Sequence, residues 1–507
     1  EFLLSQLSYD HTHPRILERA QALRGRMMLF LPMMSSLADP LLALHSDLKV
    51  RPPGLDELLA DVAKWFDRPL GNPSRADEQM ANAAVDALHA RIVALRPSFD
   101  VLLSWEGALL SNALWRLAQV IDMWHDCRSL RVNISQESAT WRPRFRHWRL
   151  GGSERYFDRG MMLFAALSAI LAIVIACGIW IESGWHDGAG AITLAAVACC
   201  FFAALDDPAP QVFNFLIATA AAVVIAGLYL FVVLPRVHDF AMLVVMFAGP
   251  FILAGTLIPR PQFNLVATLV AVNTATFISI QGAYDADFLL FLNSNIAGIA
   301  GLLYAYVWTR TTRPFGAELA AARLLRSSWA DVALTASTEP LPDQRDLASR
   351  MLDRLMQLVP RLAASDENRH PSIESFRDLR IALNSLDLRR AKHRLKGELP
   401  ATIDGVLAGV NRYYASCADR KRRQPVPRAL MTTIDDALGR VTAQAADATR
   451  AVNAEGTAAG APRRASQRWL REARHALVGL RLSLFPASAG QAPGYTGTTG
   501  ATGEGQA

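Results

Sequence analysis

Cysteine is scarce in this chain, and its cysteines show none of the spacings that bind metal ions. The five are Cys127, Cys177, Cys199, Cys200 and Cys417. Three of them lie in long apolar segments and two lie in charged segments with helical spacing, so we expect no disulfide framework. The adjacent pair Cys199-Cys200 is interpreted as two small apolar residues of one helix.

Motifs of nucleotide-driven and catalytic proteins are also missing. The chain has no Gly-x-x-x-x-Gly-Lys-Ser/Thr phosphate loop, which argues against direct drive by ATP, and Gly188-Ala-Gly190 is too short for a dinucleotide fingerprint. It has no nucleophile elbow and no paired His–Glu metal motif. No zinc-finger, aromatic-basic or Gly-rich RNA-binding signature accompanies its basic residues. We therefore expect no enzymatic activity, no cofactor, no metal site and no nucleic-acid partner.

Charge is almost absent from residues 160–308. Nine formal charges occur there, all in short polar turns or at the ends of apolar runs: Glu182, Asp187, Asp206, Asp207, Arg236, Asp239, Arg260, Asp285 and Asp287. The apolar runs between them occupy residues 161–181, 188–205, 212–234, 240–258, 263–281 and 288–308. Each is close to the roughly 20 residues that a helix needs to cross a bilayer. Because a charge in hydrocarbon is costly, this placement predicts six membrane spans.

Arginines flank this apolar block on both sides. Arg155 and Arg159 precede it, and Arg310 and Arg313 follow it. Excess Arg and Lys beside a span marks the cytoplasmic side, so we expect both ends of the block in the cytoplasm and an even number of crossings. The predicted outer turns agree, since they hold five acids and one base. The second run, which contains glycines, is the weakest span, and a re-entrant path there would break the parity.

The predicted fold is all-α, a polytopic membrane protein. A cytoplasmic helical domain at 1–150 and another at 314–486 flank a six-helix transmembrane bundle at 161–308, and a Gly/Thr/Ala-rich disordered tail follows at 487–507. No run alternates with the period of two that strands require. The block carries a net charge of −5, which leaves +11 for the rest of the chain. Basic domains beside a bilayer are attracted to anionic lipid headgroups.

Three segments carry a resemblance to a known family. They are Ala22-Leu-Arg-Gly-Arg-Met-Met-Leu-Phe-Leu-Pro before the block, Phe201-Phe-Ala-Ala-Leu-Asp-Asp-Pro-Ala-Pro within it, and Arg377-Asp-Leu-Arg-Ile-Ala-Leu-Asn-Ser-Leu-Asp-Leu-Arg-Arg after it. With the order helical domain, six spans, helical domain, the chain resembles the fusaric acid resistance and aromatic acid exporter family of bacterial inner-membrane proteins. The resemblance covers about residues 1–485.

The resemblance implies a function and partners. Members of the family look like exporters of aromatic carboxylic acids that have two membrane halves and work beside a periplasmic adaptor of the membrane-fusion type. Here only one half is seen, and the chain begins within helical-looking sequence at Glu1 rather than with a methionine. We therefore expect an N-terminally truncated chain that functions as an efflux subunit, with a homo-oligomer as one arrangement.

Export driven by the proton gradient needs an acid that changes its protonation state. Asp206-Asp207, at the predicted inner end of the second span, is the candidate pair, because adjacent carboxylates raise the pKa of one of them. Pro208 and Pro210 are expected to hold the chain extended there and to act, with Pro250 in the fourth span, as hinges. The alternative is an ordinary cytoplasmic turn with an Asp-Pro pair.

Polar residues at or inside the spans form the substrate-pathway candidates: Asn214, Arg260, Asn273, Thr276, Asn293 and Asn295. Amides in hydrocarbon need partners, so these side chains either bind a substrate carboxylate or join helices to one another. The guanidinium of Arg260 suits carboxylate binding, although it also suits a positive-inside anchor. In the first outer turn, Glu182, His186 and Asp187 form a weaker candidate for a metal or proton site.

Three functional classes remain open. The first is an exporter of small aromatic carboxylic acids coupled to the proton gradient. The second is a passive organic-anion channel, because the aluminium-activated malate channels of plants look like distant relatives. The third is a membrane scaffold whose helical domains bind protein partners. Polar side chains buried inside the bundle would favour a pathway over a scaffold, and flux that survives collapse of the proton gradient would favour the channel.

Overall fold

The computed structural model describes residues 14–47, 52–67, 75–97, 104–135, 141–145, 159–203, 205, 207–260, 262–280, 284, 286–312, 316–337, 350–354, 357, 371–455 and 461–494. Within these residues every regular element is a helix and no strand occurs, which confirms the all-α fold. The helices fall into two compact units. The first unit spans residues 1–156 and 321–507, and the second spans residues 157–320.

Helices are numbered along the chain. Those before the apolar block are α1 Pro14–Leu42, α2 Leu55–Phe66, α3 Arg75–Ala94 and α4 Trp105–Ser135. Those of the apolar block are α5 Arg159–Ser183, α6 Ala189–Phe201, α7 Ala209–Leu228, α8 Phe240–Leu257, α9 Asn264–Ile278 and α10 Phe288–Thr312. Those after it are α11 Gly316–Thr335, α12 Pro371–Lys392, α13 Leu399–Asp419, α14 Arg428–Glu455 and α15 Ala461–Leu484. Each of the six predicted spans coincides with one helix.

One apolar core holds the first unit together. Leu29 of α1, Leu114 of α4, Leu386 of α12 and Leu477 of α15 are buried in it. The sequence divided these helices between two domains, 1–150 and 314–486. In the structure α12 packs on α1 and α15 packs on α4. The helices that precede the apolar block in the sequence and those that follow it therefore share a single core.

A buried ion pair lies inside this first unit. Arg26 of α1 is 3.1 Å from the carboxylate of Asp126 on α4, and both side chains are almost fully buried. Asp126 also accepts the backbone N–H groups of Arg144 and Phe145, at 2.8 and 3.2 Å, which holds residues 141–145 against α4. Burial raises the pKa of Asp126, and these hydrogen bonds and Arg26 oppose the rise.

The start of the predicted disordered tail is ordered. Trp105 donates its indole N–H to the carbonyl of Ala489, at 2.8 Å, and Arg481 donates to the carbonyl of Ser488, at 3.1 Å. The prediction of disorder was therefore wrong for these tail residues, because two buried side chains find their hydrogen-bond partners there. Residues 495–507 of the tail lie outside the described residues.

Length separates the helices of the apolar block into two groups. α5, α7 with its continuation to Arg236, α8 and α10 are long and apolar enough to cross a bilayer. α6 has 13 residues and α9 has 15, or about 20 and 22 Å, against a hydrocarbon core of about 30 Å. The six-span arrangement therefore stays a prediction, with α6 again its weakest member.

Helix α1 also satisfies the length and composition of a span, over Glu18–His45. Its environment within the first unit is that of a core helix, however. Leu29 and Met33 are buried in the core, and Arg26 pairs there with Asp126. Burial in a protein core accounts for part of the apolar character of α1, whereas Met27, Leu31 and Leu42 are exposed.

Close approach of α6 and α10 dominates the packing of the second unit. A Cβ atom on Gly301 of α10 would lie 1.9 Å from the carbonyl oxygen of Ala191 on α6, and one on Gly298 would lie 2.7 Å from Leu194. Small residues allow such backbone contact between apolar helices. α10 also packs on α7, α7 on α9, and α9 on α8. α8, described throughout, buries none of its residues.

Histidine burial predicts how the first unit responds to pH. Burial, followed by the charge of Arg144, lowers the pKa of His125 from 6.5 to about 4. The unfolded chain therefore binds a proton below about pH 6.5 that the folded unit takes up only near pH 4. The free energy of unfolding should therefore fall by about 2–3 kcal/mol as the pH is lowered from about 6.5 to about 4. Denaturant unfolding of the His125→Gln variant should show a weaker pH dependence, whereas exposed His393→Gln should match the parent.

Glycine 301 provides a test of the α6–α10 contact. Gly301→Ala puts a methyl group into the Ala191 carbonyl, and such overpacking typically destabilises by about 1–3 kcal/mol. Gly255→Ala on α8 is the matched control, because a Cβ atom there meets no atom within 4 Å. Thermal unfolding in detergent should show a lower Tm for Gly301→Ala only. Equal Tm values for the two variants would contradict the packing.

Candidate functional site

The predicted acid pair lies at the start of α7. Asp206 lies outside the described residues, and Asp207 is exposed, with Oδ1 accepting the backbone N–H of Ala209 at 3.3 Å. Pro208 has a helical backbone conformation (φ −78°), and Pro210 lies in the first turn of α7. The extended backbone predicted at these prolines is therefore wrong, because a helix accepts proline in its first turn. Whether the acids carry a proton stays a prediction.

Two helices of the block share a buried polar cluster. Asn273 of α9 donates from Nδ2 to the hydroxyl of Thr219 on α7, at 2.9 Å. Thr219 and the neighbouring Thr274 are 1% and 3% exposed. The Thr274 hydroxyl finds no hydrogen-bond partner in the described part of the chain. Thr219, its half-buried partner Asn273 and Thr274, which follows Asn273 in the sequence, are called the threonine cluster below.

Sequence reasoning found Asn273 but missed the two threonines. Thr219 belongs to the buried face of α7, together with Val212, Phe215, Ala222 and Ala226. Its hydroxyl interrupts an otherwise apolar stripe at helical spacing, which is the signal that would have found it. A hydroxyl is easily overlooked because a helical threonine can bond its own backbone, as the exposed Thr276 does to the carbonyl of Val272 at 2.9 Å.

A second polar cluster joins α10 to the turn before α6. Asn293 donates from Nδ2 to the carboxylate of Asp187 and accepts at Oδ1 from the indole N–H of Trp185, at 3.2 Å. Trp180 of α5 donates its indole N–H to the carbonyl of Trp185, at 2.6 Å. Asn293, Asp187, Trp185 and Trp180, called the outer cluster below, share no hydrogen bond with the threonine cluster among the described residues.

The remaining candidates lie apart from these clusters. Asn295 is buried and donates to the carbonyl of Phe291 of its own helix, at 2.7 Å. Arg260 is exposed, and its carbonyl accepts the N–H of Asn264 at 2.9 Å. Asn214 is half-buried near the start of α7. Pro250 lies inside α8, which continues through it, so its role as a hinge stays a prediction.

The first unit contains a small polar cavity. It measures about 10 Å³, and Asp39, Asn112, Arg116, Asn384 and Ser483 contribute to its lining. That volume accommodates about one water molecule and is too small for an aromatic acid. Among the described residues no group of three His, Cys, Asp or Glu side chains could hold a metal ion.

Comparison with known proteins decides the family. The profile of the fusaric acid resistance protein family matches residues 1–490. The chain belongs to this family. The resemblance found in the sequence is therefore confirmed, as is the multi-pass membrane class that the apolar helices indicated.

Curated relatives match a shorter stretch. The uncharacterized transporter YdhK of Escherichia coli strain K12 is 26% identical over 217 residues, which cover 41% of this chain and 32% of the relative. The protein of the same name from Salmonella typhimurium strain LT2 is 23% identical over 216 residues, covering 41% and 31%. The chain thus spans about a third of the length of the curated relatives it matches. No solved structure matches the chain.

The threonine cluster can be tested as a structural tie or as a binding site. Asn273→Leu leaves the Thr219 hydroxyl without its partner, which should destabilise the chain by roughly 0.6–2 kcal/mol. Thr276→Val is the matched control, since that hydroxyl bonds only its own helix. A lower Tm in detergent for Asn273→Leu alone is expected. An unchanged Tm together with lost export would instead assign Asn273 to the substrate.

Proposed function

We propose that this chain is part of a membrane transporter that exports small aromatic carboxylic acids. The threonine cluster carries this proposal, because hydroxyl and amide groups buried between apolar helices suit a polar pathway, whereas a scaffold needs none. The family match over residues 1–490 supports the same reading. The half-exposed positions of Asn214 and Asn293 leave these side chains able to contact a passing carboxylate.

Coupling to the proton gradient is the proposed source of energy. The chain has no phosphate loop for ATP, and its sequence has two adjacent acids, Asp206-Asp207, shortly after a short apolar helix. Asp207 is exposed. Two neighbouring carboxylates favour protonation of one of them, which is the change of state that coupling requires.

The proposed location is the bacterial inner membrane, with both ends of the apolar block in the cytoplasm. The arginines at 155, 159, 310 and 313 support this orientation through the positive-inside rule. A periplasmic adaptor of the membrane-fusion type and further copies of the chain are the proposed partners. The unburied helix α8 offers apolar surface to lipid or to such a copy.

The acid pair provides the test of coupling. In inside-out vesicles, uptake of a radiolabelled aromatic acid should rise when a proton gradient is imposed and fall when a protonophore collapses it. Replacing Asp206 and Asp207 with asparagine should abolish uptake against a gradient, because asparagine keeps the shape but cannot accept a proton. Expression and insertion should remain, because asparagine also forms turns well.

A matched variant controls for loss of charge at a turn. Asp239→Asn changes an exposed acid just before α8, whose side chain makes no capping hydrogen bond, and should leave uptake unchanged. Uptake that persists after collapse of the proton gradient would indicate a passive channel instead of a proton-coupled exporter. Normal uptake against a gradient in the double variant would show that the acid pair only forms an ordinary turn and does not couple transport to protons.

A further inference from the structure

The outer cluster links three helices through a chain of hydrogen bonds. Asp187 lies in the turn before α6, and it accepts a hydrogen bond from Asn293 of α10. Asn293 in turn accepts from Trp185, and Trp185 accepts from Trp180 of α5. The end of α5, the start of α6 and the first turns of α10 are therefore linked by a chain of hydrogen bonds that ends at Asp187.

The turn that carries Asp187 is tightly packed. A Cβ atom on Gly188 would lie 2.3 Å from the Trp180 ring, so only glycine fits between the indole and the backbone of the turn. The side chain of Asp187 is 22% exposed, whereas that of the neighbouring His186 is 99% exposed. Asp187 is thus held in place on one side and in contact with water on the other.

Other charged groups near this carboxylate have identifiable roles. His186 Nδ1 is 3.4 Å from Asp187 Oδ1. Glu182, at the end of α5, is exposed. Asp287, before α10, accepts the backbone N–H groups of Leu289 and Leu290, at 2.8 and 3.2 Å. Asp285 lies outside the described residues. Of the described carboxylates here, Asp187 is the one that bonds a side chain of another helix.

We propose that Asp187 is a proton-binding residue whose carboxylate holds the start of α10 to the turn before α6, and that protonation weakens this attachment. A hydrogen bond to an ionised acceptor is about twice as strong as one between neutral groups, so protonation weakens the bond from Asn293. The proton comes from the aqueous phase at this end and forms an O–H bond on the carboxylate; no other covalent bond changes. The use of this step in export rests on the proposed function.

Trp185 reports on the cluster without any need for transport. The chain, labelled with 5-fluorotryptophan and embedded in phosphatidylcholine nanodiscs, can be followed by fluorine NMR from about pH 7 to about pH 2.5. Trp185→Phe assigns the Trp185 resonance. We expect this resonance to shift in one step with pH in the parent chain. Asp187→Asn should abolish the step, and its resonance at neutral pH should match the parent at low pH, because asparagine imitates the protonated acid.

Two variants separate Asp187 from its neighbours. Glu182→Gln and His186→Gln should both retain the step, because neither residue bonds Asn293. A step that survives Asp187→Asn, a step lost in Glu182→Gln or His186→Gln, or no step in the parent would each overturn the proposal.

Failure of the proposed function has a different signature. If the Trp185 step depends on Asp187 but vesicle uptake of the aromatic acid does not respond to a proton gradient, the proton site stands and the proposed function falls. If uptake responds to the gradient and the Trp185 step survives Asp187→Asn, the proposed function stands and the Asp187 proposal falls. Loss of gradient-driven uptake in Asp187→Asn alone, with Glu182→Gln normal, would support both.

Discussion

Hydrocarbon offers no hydrogen bonds, so every polar group inside the apolar block must find a partner within the protein. This constraint accounts for the placement of all nine charges of residues 160–308 in turns or at run ends. It also accounts for the pairing of Asn273 with Thr219 across two helices. Among the described residues the buried hydroxyl of Thr274 is an exception, because it has no hydrogen-bond partner.

Buried charged groups of the first unit also have partners within the protein. Its core buries Arg26 against Asp126 and Arg481 against Asp435, at 3.1 and 2.7 Å, and Arg26, Asp126 and Arg481 have further hydrogen bonds. Breaking one partner of such a pair leaves a buried charge, which is far more destabilising than losing a surface pair. The first pair joins α1 to α4, and the second joins α14 to α15.

Periodicity and charge placement were enough to predict the helices, since all six apolar runs are helical and no strand occurs in the described residues. Pairing between helices was not predictable in the same way. That α15 packs on α4 depends on contacts such as Asn112 to the carbonyl of His475, 363 residues apart. Of the site, Asn273 and Asn293 were foreseen from the cost of burying an amide, whereas their partners Thr219 and Asp187 depend on which helices meet. A single sequence does not show directly which helices contact one another.

The contacts of α10 differ in how easily they can be released. Near its middle, Gly301 packs against the backbone of α6. This is a van der Waals contact, so it does not depend on the protonation of any group. Toward its end, Tyr304 donates to the carbonyl of Ala172 on α5, at 2.8 Å, again without an ionisable acceptor. Near its beginning α10 bonds two carboxylates among the contacts described: Asn293 donates to Asp187, and the backbone N–H groups of Leu289 and Leu290 donate to Asp287. Protonation of Asp187 would weaken the first of these bonds, while the indole of Trp185 would still donate to Asn293 and Gly190 of α6 would still lie close to the backbone of Ser294. A change of charge at Asp187 would therefore alter a local contact of α10 without separating α10 from α6.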